Sequence, residues 1–249
     1  MSDFSSASTI ETLNNHVSVR QFNDQPIADD MLLTMLEAAR RSPTSSNLQT
    51  YSIVVVKDQQ TKKELAAVAG NQRHIETCPV FFALCADISR LELVGEMHDK
   101  PYCGGLESTL IASIDASLVG MSLSLAAESL GLGTVMIGSM RNNPPEAARL
   151  LGLPQCVYVV FGLCVGWPEE VPPQKPRLPQ DVVIHYERYN TDDIHGKLQA
   201  HDAELAEHYR EMQRKTPDAA WTGTTANNNA TQRRPELRCQ LEEMGFKLE

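Results

Sequence analysis

The sequence predicts a three-layer α/β or α+β sandwich, in which helices cover both faces of a central sheet. Two observations lead to this fold class. Short β-branched runs alternate along the chain with segments of helical periodicity, and the run 80–86 is apolar throughout, as a strand covered on both faces is. The chain of 249 residues can bury a sizeable core, and its 42% of hydrophobic residues is ordinary for a folded protein.

Four elements carry clear signals before residue 90. Asp29 and Asp30 are predicted to cap a helix that stops at residues 42–43. The β-branched run 51–56 predicts a strand. A second helix is predicted over 58–70, opened by an aspartate and ended by a glycine. The apolar strand 80–86 follows.

The rest of the chain continues the alternation of helices and strands. In order, the sequence predicts a long helix over 106–130, a strand over 134–137, a helix over 143–152, a strand over 157–165, an extended proline-rich segment over 168–179, a helix near 192–214, a polar Thr/Asn-rich loop over 222–232 and a last helix over 235–245. No internal repeat is present in this order.

The long helix 106–130 is apolar enough to suggest a membrane span, but its composition argues against one. It contains Glu107, Asp115 and Glu128, and each charge costs a few kcal/mol in the middle of a bilayer. We therefore expect a helix buried in protein. Its Ala, Ser and Gly content allows close helix packing, either at a seam between two copies of the chain or in the core of a monomer.

Charge and cysteine usage exclude several classes of protein. A net charge of −10 argues against binding to nucleic acid or anionic lipid. The N-terminal residues show no secretory signal, and the six cysteines form no C-x-x-C pair, so reduced thiols and a cytoplasmic location are expected.

The seven histidines lack metal-ligand spacing, and we expect no metal. Gly131 and Gly133 follow a helix and precede a strand, the reverse of a dinucleotide-binding loop.

Two cationic clusters could bind an anion. His16, Ser18 and Arg20 are spaced so that they could converge on one ligand. In an extended chain Lys175 and Arg177 point the same way, and Pro176 between them holds this geometry. Such a pair suits a phosphate, although each cluster taken alone also fits an ordinary exposed surface. The hydroxyl run 44–46 likewise fits an ordinary turn.

The order of these clusters and of the motifs between them resembles the FMN-dependent nitroreductase family, over about residues 10–246. It is most similar to the branch of oxygen-insensitive nitroreductases and flavin reductases of the NfsA and Frp types. The motifs are, in order, His16-x-Ser18-x-Arg20, SPTSSNLQ over 42–49, Gly70-Asn71-Gln72, GLG and IGSMRN within 131–142, FGLCVGWP over 161–168 and KPRLP over 175–179.

The resemblance implies a fold and an assembly. The fold is α+β, a three-layer α/β/α sandwich with a mainly antiparallel central sheet, in an intertwined homodimer. The chain is then a single domain over 1–249, with a core of about 10–186 and a C-terminal helical extension over 187–249. The implied cofactor is FMN, bound without a covalent link in a groove between the two subunits.

The resemblance also implies a role for each candidate residue. His16, Ser18, Lys175 and Arg177 hold the FMN phosphate, and Arg20 lies near N1 and O2 of the flavin, where a fixed cation favours the reduced form. Thr44, Ser45 and Ser46 come from the partner subunit, Gln72 binds the polar edge of the ring, and the backbone of Gly138 and Ser139 approaches N5. The candidate cofactor contacts are His16, Val17, Ser18, Arg20, Thr44, Ser45, Ser46, Gln72, Ile137, Gly138, Ser139, Lys175 and Arg177.

Three positions depart from the family pattern. Val17 stands where relatives often have an arginine, Ser139 where many have a second glycine, and Asn47 where an aromatic residue is common. These departures affect the expected range of substrates more than the binding of FMN.

Arg210, Arg214 and Lys215 lie in the stretch that binds the 2′-phosphate of NADPH in this branch, or else form a solvated basic helix face.

The implied activity is that of an NAD(P)H oxidoreductase. NADPH passes a hydride to FMN N5 and leaves, and a nitroaromatic, quinone, flavin or similar oxidant then takes two electrons in a ping-pong sequence. No acid–base pair is expected in the protein. The alternative is a flavin-binding module for storage or sensing without turnover. A third, less favoured interpretation is a divergent branch that performs dehalogenation or flavin breakdown.

Overall fold

The computed structural model describes residues 8–215 and 220–249. These residues form two compact units. The first unit contains the described residues up to Pro172 together with 236–249, and the second contains 173–235. The prediction of one domain over 1–249, divided near residue 186, stays a prediction.

A four-stranded antiparallel sheet forms the centre of the first unit. Its strands are β1 (Tyr51–Val56), β2 (Val80–Asp87), β3 (Gly133–Ile137) and β4 (Val157–Gly166), in the order β1-β2-β4-β3. All four predicted strands are present, within about one residue of the predicted ends. Gly162, in the middle of β4, faces the ring of Phe81, which fills the space that a side chain would need.

Between residues 8 and 172, seven helices precede or follow these strands. They are α1 (Thr9–Asn14), α2 (Asp29–Ala39), α3 (Gln59–Val68), α4 (Arg73–Thr77), α5 (Ser89–Met97), α6 (Leu106–Ser129) and α7 (Pro144–Leu151). Short 3₁₀ helices lie at Ser45–Asn47 and Gly138–Asn142. The signals at both ends of α7 are confirmed, because the Asn143 side chain accepts from the backbone of Glu146 and Gly152 is left-handed at φ 63°.

The sheet is covered on both faces, which confirms the three-layer α+β fold. Phe82 and Leu84 pack against α2 and α6, whereas the alternate residues Phe81 and Ala83 pack in the cluster that contains the apolar side chains of α3 and α4. Because both faces of β2 are buried, its side chains need no polar alternation, as the apolar run predicted.

The predicted cap of α2 is wrong by one residue. Ala28 occupies the N-cap position, and Asp29 and Asp30 form the first helical turn. Their carboxylates still favour the helix start, because the N-terminus of a helix carries partial positive charge. Asp29 also accepts a salt bridge from Lys57 at 2.7 Å.

The second unit contains α8 (Gln180–Val183), α9 (Ile194–Glu211) and α10 (Thr222–Asn229). The predicted helix near 192–214 is confirmed as α9, but the predicted polar loop over 222–232 is wrong. The buried carboxylate of Asp202 accepts the backbone N–H groups of Trp221 and Thr222 at 2.7 and 2.8 Å. This cap starts a helix that the polar Thr/Asn composition alone does not predict.

The chain then returns to the first unit as α11 (Leu237–Glu243), which confirms the predicted last helix. Phe246, directly after α11, is buried and meets the ring of Tyr158 edge-on, with 5.1 Å between the ring centroids. The C-terminal residues are therefore part of the core that covers the sheet.

The long helix α6 is buried on one side and exposed on the other. By length and composition it could cross a membrane, yet Asp115 near its middle is completely buried and bonded to protein groups. The exposed side is apolar and forms a continuous stripe along the helix. The α6 stripe consists of Leu106, Leu110, Ile114, Leu118 and Met121, which are 40–57% exposed.

Candidate active site

The segment 16–20 runs beside the edge strand β3. Ser18 forms a parallel bridge with Thr134, and the Val19 N–H donates to the Thr134 carbonyl at 2.9 Å. The approach is close because β3 begins with glycine: a Cβ on Gly133 would lie 2.7 Å from the Val19 side chain. Val17 and Val19 pack into the core, so His16, Ser18 and Arg20 lie on the opposite side of this extended segment.

His16 is held by Glu128, a residue that the sequence motifs do not indicate. The imidazole Nδ1 donates to the Glu128 carboxylate at 2.9 Å, and the Thr134 hydroxyl donates to the same carboxylate at 2.6 Å. The Ser124 hydroxyl is a third donor, at 3.2 Å. Glu128 thus fixes the orientation of the imidazole ring. It lies in the last turn of α6, and no spacing rule in the sequence connects it to His16.

Arg20 is exposed and lies close enough to His74 to affect its ionisation. Its guanidinium donates to the Ser18 carbonyl at 3.3 Å. Burial lowers the pKa of His74, and the positive charge of Arg20 lowers it further, so His74 is neutral near pH 7. Among the described residues, buried Nε2 of His74 has no hydrogen-bond partner. The site therefore combines an exposed cation with a neutral imidazole.

Gln72 and Ser139, two predicted contacts far apart in the sequence, meet in the structure. The Gln72 amide donates to the Ser139 hydroxyl and also to the Ala69 carbonyl, the latter at 3.1 Å. Gln72 is the residue before α4, and Ser139 lies in the 3₁₀ helix that follows β3. Gly138 belongs to the same 3₁₀ helix, and Ile137 before it is buried. We call residues 16–20, Gln72 and 137–139 the β3 edge.

The hydroxyl run 44–46 lies at the other end of the sheet. The run lies a few residues before β1, and two strands separate β1 from β3, roughly 14 Å at ordinary strand spacing. The buried Asp115 carboxylate holds this turn by accepting from the Ser45 N–H at 3.0 Å and the Thr50 hydroxyl at 2.7 Å. One chain therefore does not bring Thr44, Ser45 and Ser46 to the β3 edge.

The remaining predicted contacts belong to the second unit. Lys175 and Arg177 are exposed in the extended segment before α8, and Lys175 Nζ lies 5.6 Å from the centre of the Tyr209 ring. Arg210 forms an ion pair with Glu207 one turn earlier on α9. Arg214 and Lys215 follow α9 and are exposed. The roles predicted for these cations stay predictions.

The cysteines of the sheet region are unsuited to nucleophilic chemistry. Burial raises the pKa of Cys85 to about 12 and that of Cys156 to about 11, so both thiols stay protonated at neutral pH. Within residues 8–215 and 220–249, no three His, Cys, Asp or Glu side chains are grouped to hold a metal ion. What the β3 edge offers is a set of hydrogen-bond donors over an apolar floor.

The protein is a three-layer α+β sandwich with a polar edge on its central sheet. Comparisons with known proteins identify the family to which it belongs. Residues 13–167 match the model of the nitroreductase family, and residues 175–249 match its C-terminal domain. The chain belongs to the nitroreductase family, which confirms the predicted resemblance.

Relatives match along almost the whole chain. An FMN reductase from Bacillus subtilis that uses NAD(P)H is 37% identical over 96% of this chain and 98% of its own length. An oxygen-insensitive NADPH nitroreductase from Salmonella typhimurium is 35% identical over the same shares of the two chains. The solved structure of NfrA2 from B. megaterium has a TM-score of 0.93 at 40% identity, covering 97% of this chain and 98% of that one.

Proposed function

We propose that this chain binds FMN at the β3 edge and uses it to pass electrons from NAD(P)H to small oxidants. The class of activity follows from the family and from the full-length relatives, so the chain is an FMN-dependent NAD(P)H oxidoreductase. One observation carries the location of the site: Gln72 and Ser139 are bonded to each other at the edge that also carries Arg20.

The donors at the β3 edge suit the acceptor atoms of a flavin ring. The Arg20 cation and the Gln72 amide can bind its carbonyl oxygens, and the backbone of Gly138 and Ser139 faces the same place. Buried Val19 and Ile137 beneath them supply an apolar floor that keeps water out. This donor set fits FMN, whose phosphate we assign to His16 and Ser18 together with Lys175 and Arg177.

FMN, when bound, supplies the atom that accepts the hydride of NAD(P)H and returns two electrons to the oxidant. The protein supplies position and charge. Arg20 stabilises negative charge on the pyrimidine side of the ring, and Glu128 holds His16 in place for the phosphate. We assign the described residues of this edge no acid–base or covalent step, because FMN would supply the redox chemistry.

A second copy of the chain completes the proposed site. Thr44, Ser45 and Ser46 lie at the sheet edge opposite the β3 edge, so they reach a flavin there from another subunit. The exposed α6 stripe offers an apolar surface for that contact. We therefore assign the protein a homodimeric state, without nucleic acid or membrane partners.

We assign the electron donor and the acceptors by their chemical class. NADPH is the preferred donor in this proposal, with Arg210, Arg214 and Lys215 as candidates for its 2′-phosphate. The family supports nitroaromatics or similar oxidants as acceptors, and quinones and free flavins have the same two-electron chemistry. We place the enzyme in the cytoplasm, where NADPH is available.

The test is reduction and reoxidation of the purified protein. It is expected to be yellow, to bleach when NADPH is added without oxygen, and to regain its colour with nitrofurazone or benzoquinone. A bound flavin that neither NADPH nor NADH reduces would favour a storage or sensor module instead. A colourless protein that FMN cannot reconstitute would contradict the flavin site itself.

A further inference from the structure

Gln72 and Ser139 form a pair whose hydrogen-bond directions are fixed by a third group. The Nε2 atom of Gln72 donates to the Ala69 carbonyl at 3.1 Å. A carbonyl oxygen can only accept, so the nitrogen of the Gln72 amide, and not its oxygen, faces Ala69. The second N–H of the same nitrogen donates to the Ser139 hydroxyl oxygen. Both donors of the amide are therefore used inside the chain.

The Ser139 hydroxyl keeps a proton to donate. Its oxygen accepts from Gln72, and an amide nitrogen cannot accept in return. Among residues 8–215 and 220–249, the Ser139 hydroxyl donates to no other group and no group donates to Oε1 of Gln72. Both residues are partly exposed, and this Oε1 atom is not buried. The pair thus presents a hydroxyl donor beside a carbonyl acceptor.

Both members of the pair are anchored to the core. Two residues after Ser139, the Arg141 guanidinium donates to the Val160 carbonyl of β4. On the other side, the Gln72 carbonyl accepts at 3.0 Å from the N–H of Ile75, a completely buried residue of α4. The donor and the acceptor are therefore in place before a ligand binds, which lowers the entropy cost of binding.

The pair matches two neighbouring groups of a flavin ring. Along the polar edge of the ring, the N3–H group is a donor, the adjacent C4 carbonyl oxygen is an acceptor, and N5 comes next. Oε1 of Gln72 can accept from N3–H while the Ser139 hydroxyl donates to the C4 oxygen. This match rests on the flavin site proposed above for the β3 edge.

We propose that the Ser139 hydroxyl donates a hydrogen bond to the C4 carbonyl oxygen of FMN and thereby favours the reduced cofactor. Reduction adds negative charge to the pyrimidine side of the ring, and a hydrogen bond to a charged acceptor is stronger than one to a neutral acceptor. The hydroxyl therefore stabilises reduced FMN more than oxidised FMN. Gln72 is a positioning residue in this contact, because its amide reaches the C4 oxygen through Ser139.

The test is the midpoint potential of bound FMN, measured by anaerobic titration with a reference dye. Ser139→Ala should lower the preference for reduced over oxidised FMN by about fivefold to tenfold. In a two-electron couple, a tenfold change lowers the potential by about 30 mV. Ser139→Thr keeps a hydroxyl and should restore most of this loss. Ser129→Ala is the matched control, since the Ser129 hydroxyl donates to the Ala126 carbonyl at 2.8 Å within α6, and it should keep the natural potential.

Infrared spectroscopy of the same samples reports the contact itself. A hydrogen bond weakens a carbonyl bond, so the C4 stretch of FMN labelled with ¹³C at C4 should move to higher frequency in Ser139→Ala and stay in place in Ser129→Ala. Ser139→Cys, a weak donor of similar size, should shift both readouts in the same direction, and it decides the question if Ser139→Ala does not fold.

Either an unchanged potential or an unchanged C4 stretch in Ser139→Ala would overturn the proposal and leave the flavin site itself intact. Failure of the proposed function has a different signature, because the natural protein would then bind no FMN. The FMN content of the natural protein, measured before any variant is compared, separates the two results, and an absence of FMN would overturn both.

Discussion

In the proposed site, Arg20 supplies most of the positive charge that stabilises a negatively charged flavin ring. It is exposed, bonded only weakly to the Ser18 carbonyl, and its charge reaches His74. A cation beside a flavin matters most when the ring carries negative charge. Arg20→Ala is therefore expected to lower kcat by about 10- to 100-fold, while FMN affinity falls much less. Stopped-flow reduction and FMN titration of the same protein measure the two effects.

Arg20→Lys is the matched control for this prediction, because it keeps the charge and loses the planar donors. It should recover much of the lost turnover. If Arg20→Ala reduces turnover and FMN affinity by the same factor, the residue acts in binding alone and its assigned role is wrong.

Glu128 is the residue-scale feature that sequence reasoning missed. Its carboxylate accepts from His16 at 2.9 Å and from Thr134 at 2.6 Å. Glu128→Gln keeps the size of the side chain and removes its charge, so the hold on His16 weakens. FMN affinity, measured by flavin fluorescence, is expected to fall about 5- to 10-fold.

The control for Glu128 is Glu107→Gln, a change of the same type at an exposed position of the same helix. It should leave FMN affinity unchanged. Equal affinity in Glu128→Gln and in the natural protein would show that the position of His16 does not matter for the cofactor.

His74 gives a prediction for the pH dependence of stability. Burial and the charge of Arg20 lower its pKa in the folded state, so the unfolded chain binds a proton at mildly acidic pH that the folded chain does not. The free energy of unfolding should therefore fall as the pH drops from 7 to about 5.5, through the range where histidine titrates.

The measurement is urea unfolding of the natural protein and of His74→Gln at several pH values. The variant should show a smaller loss of stability on acidification, whereas His195→Gln, at an exposed position, should not differ from the natural protein. An identical pH dependence in His74→Gln would show that His74 does not contribute.

At the scale of elements, the sequence predicts the helix caps and strand ends that nearby residues determine. It does not predict features that depend on contacts between segments far apart in the chain. The caps of α7 and the ends of all four strands follow from nearby residues, and they are confirmed. α1 and α4 have six and five residues, too few to show a helical period. The sequence predicts a loop in place of α10, because the start of this helix depends on Asp202, which is about twenty residues away.

The candidate site shows the same division. The alternation of Val17 and Val19 with His16, Ser18 and Arg20 could be read from the sequence, because an extended chain turns alternate residues to one side. The bonds from Glu128 to His16 and from Asp115 to Ser45 could not, because they join segments far apart in the chain. Only the folded sheet shows that residues 44–46 and the β3 edge lie apart.

The α6 stripe makes a prediction about assembly. Ile114→Arg places a charge in its middle, where the side chain is 57% exposed. The variant is expected to be monomeric in light scattering and to lose most of its FMN, because each proposed site needs residues 44–46 of the partner. Leu93→Arg, which changes a similarly exposed leucine of α5, is the control and should stay dimeric. A dimeric, fully flavin-loaded Ile114→Arg protein would contradict the proposed contact.

At the scale of the whole molecule, the predicted fold class and family are confirmed. The chain is acidic, which explains why the groups that could bind an anion are few. With a net charge of −10, an anionic cofactor depends on local cations. The proposal places two groups of them, around Arg20 in the first unit and at Lys175 and Arg177 in the second, on one FMN molecule. The chain also returns from the second unit to the first at residue 236, which composition alone did not indicate.

The most direct test of this claim is a comparison of FMN with riboflavin, which lacks the phosphate, as ligands of the protein without flavin. In the double variant Lys175→Ala with Arg177→Ala, FMN affinity should fall about 100-fold while riboflavin affinity stays as in the natural protein. The double variant Arg214→Ala with Lys215→Ala, another neighbouring basic pair, should bind both flavins normally. Full FMN affinity in the first double variant, or an equal loss for both flavins, would contradict the account.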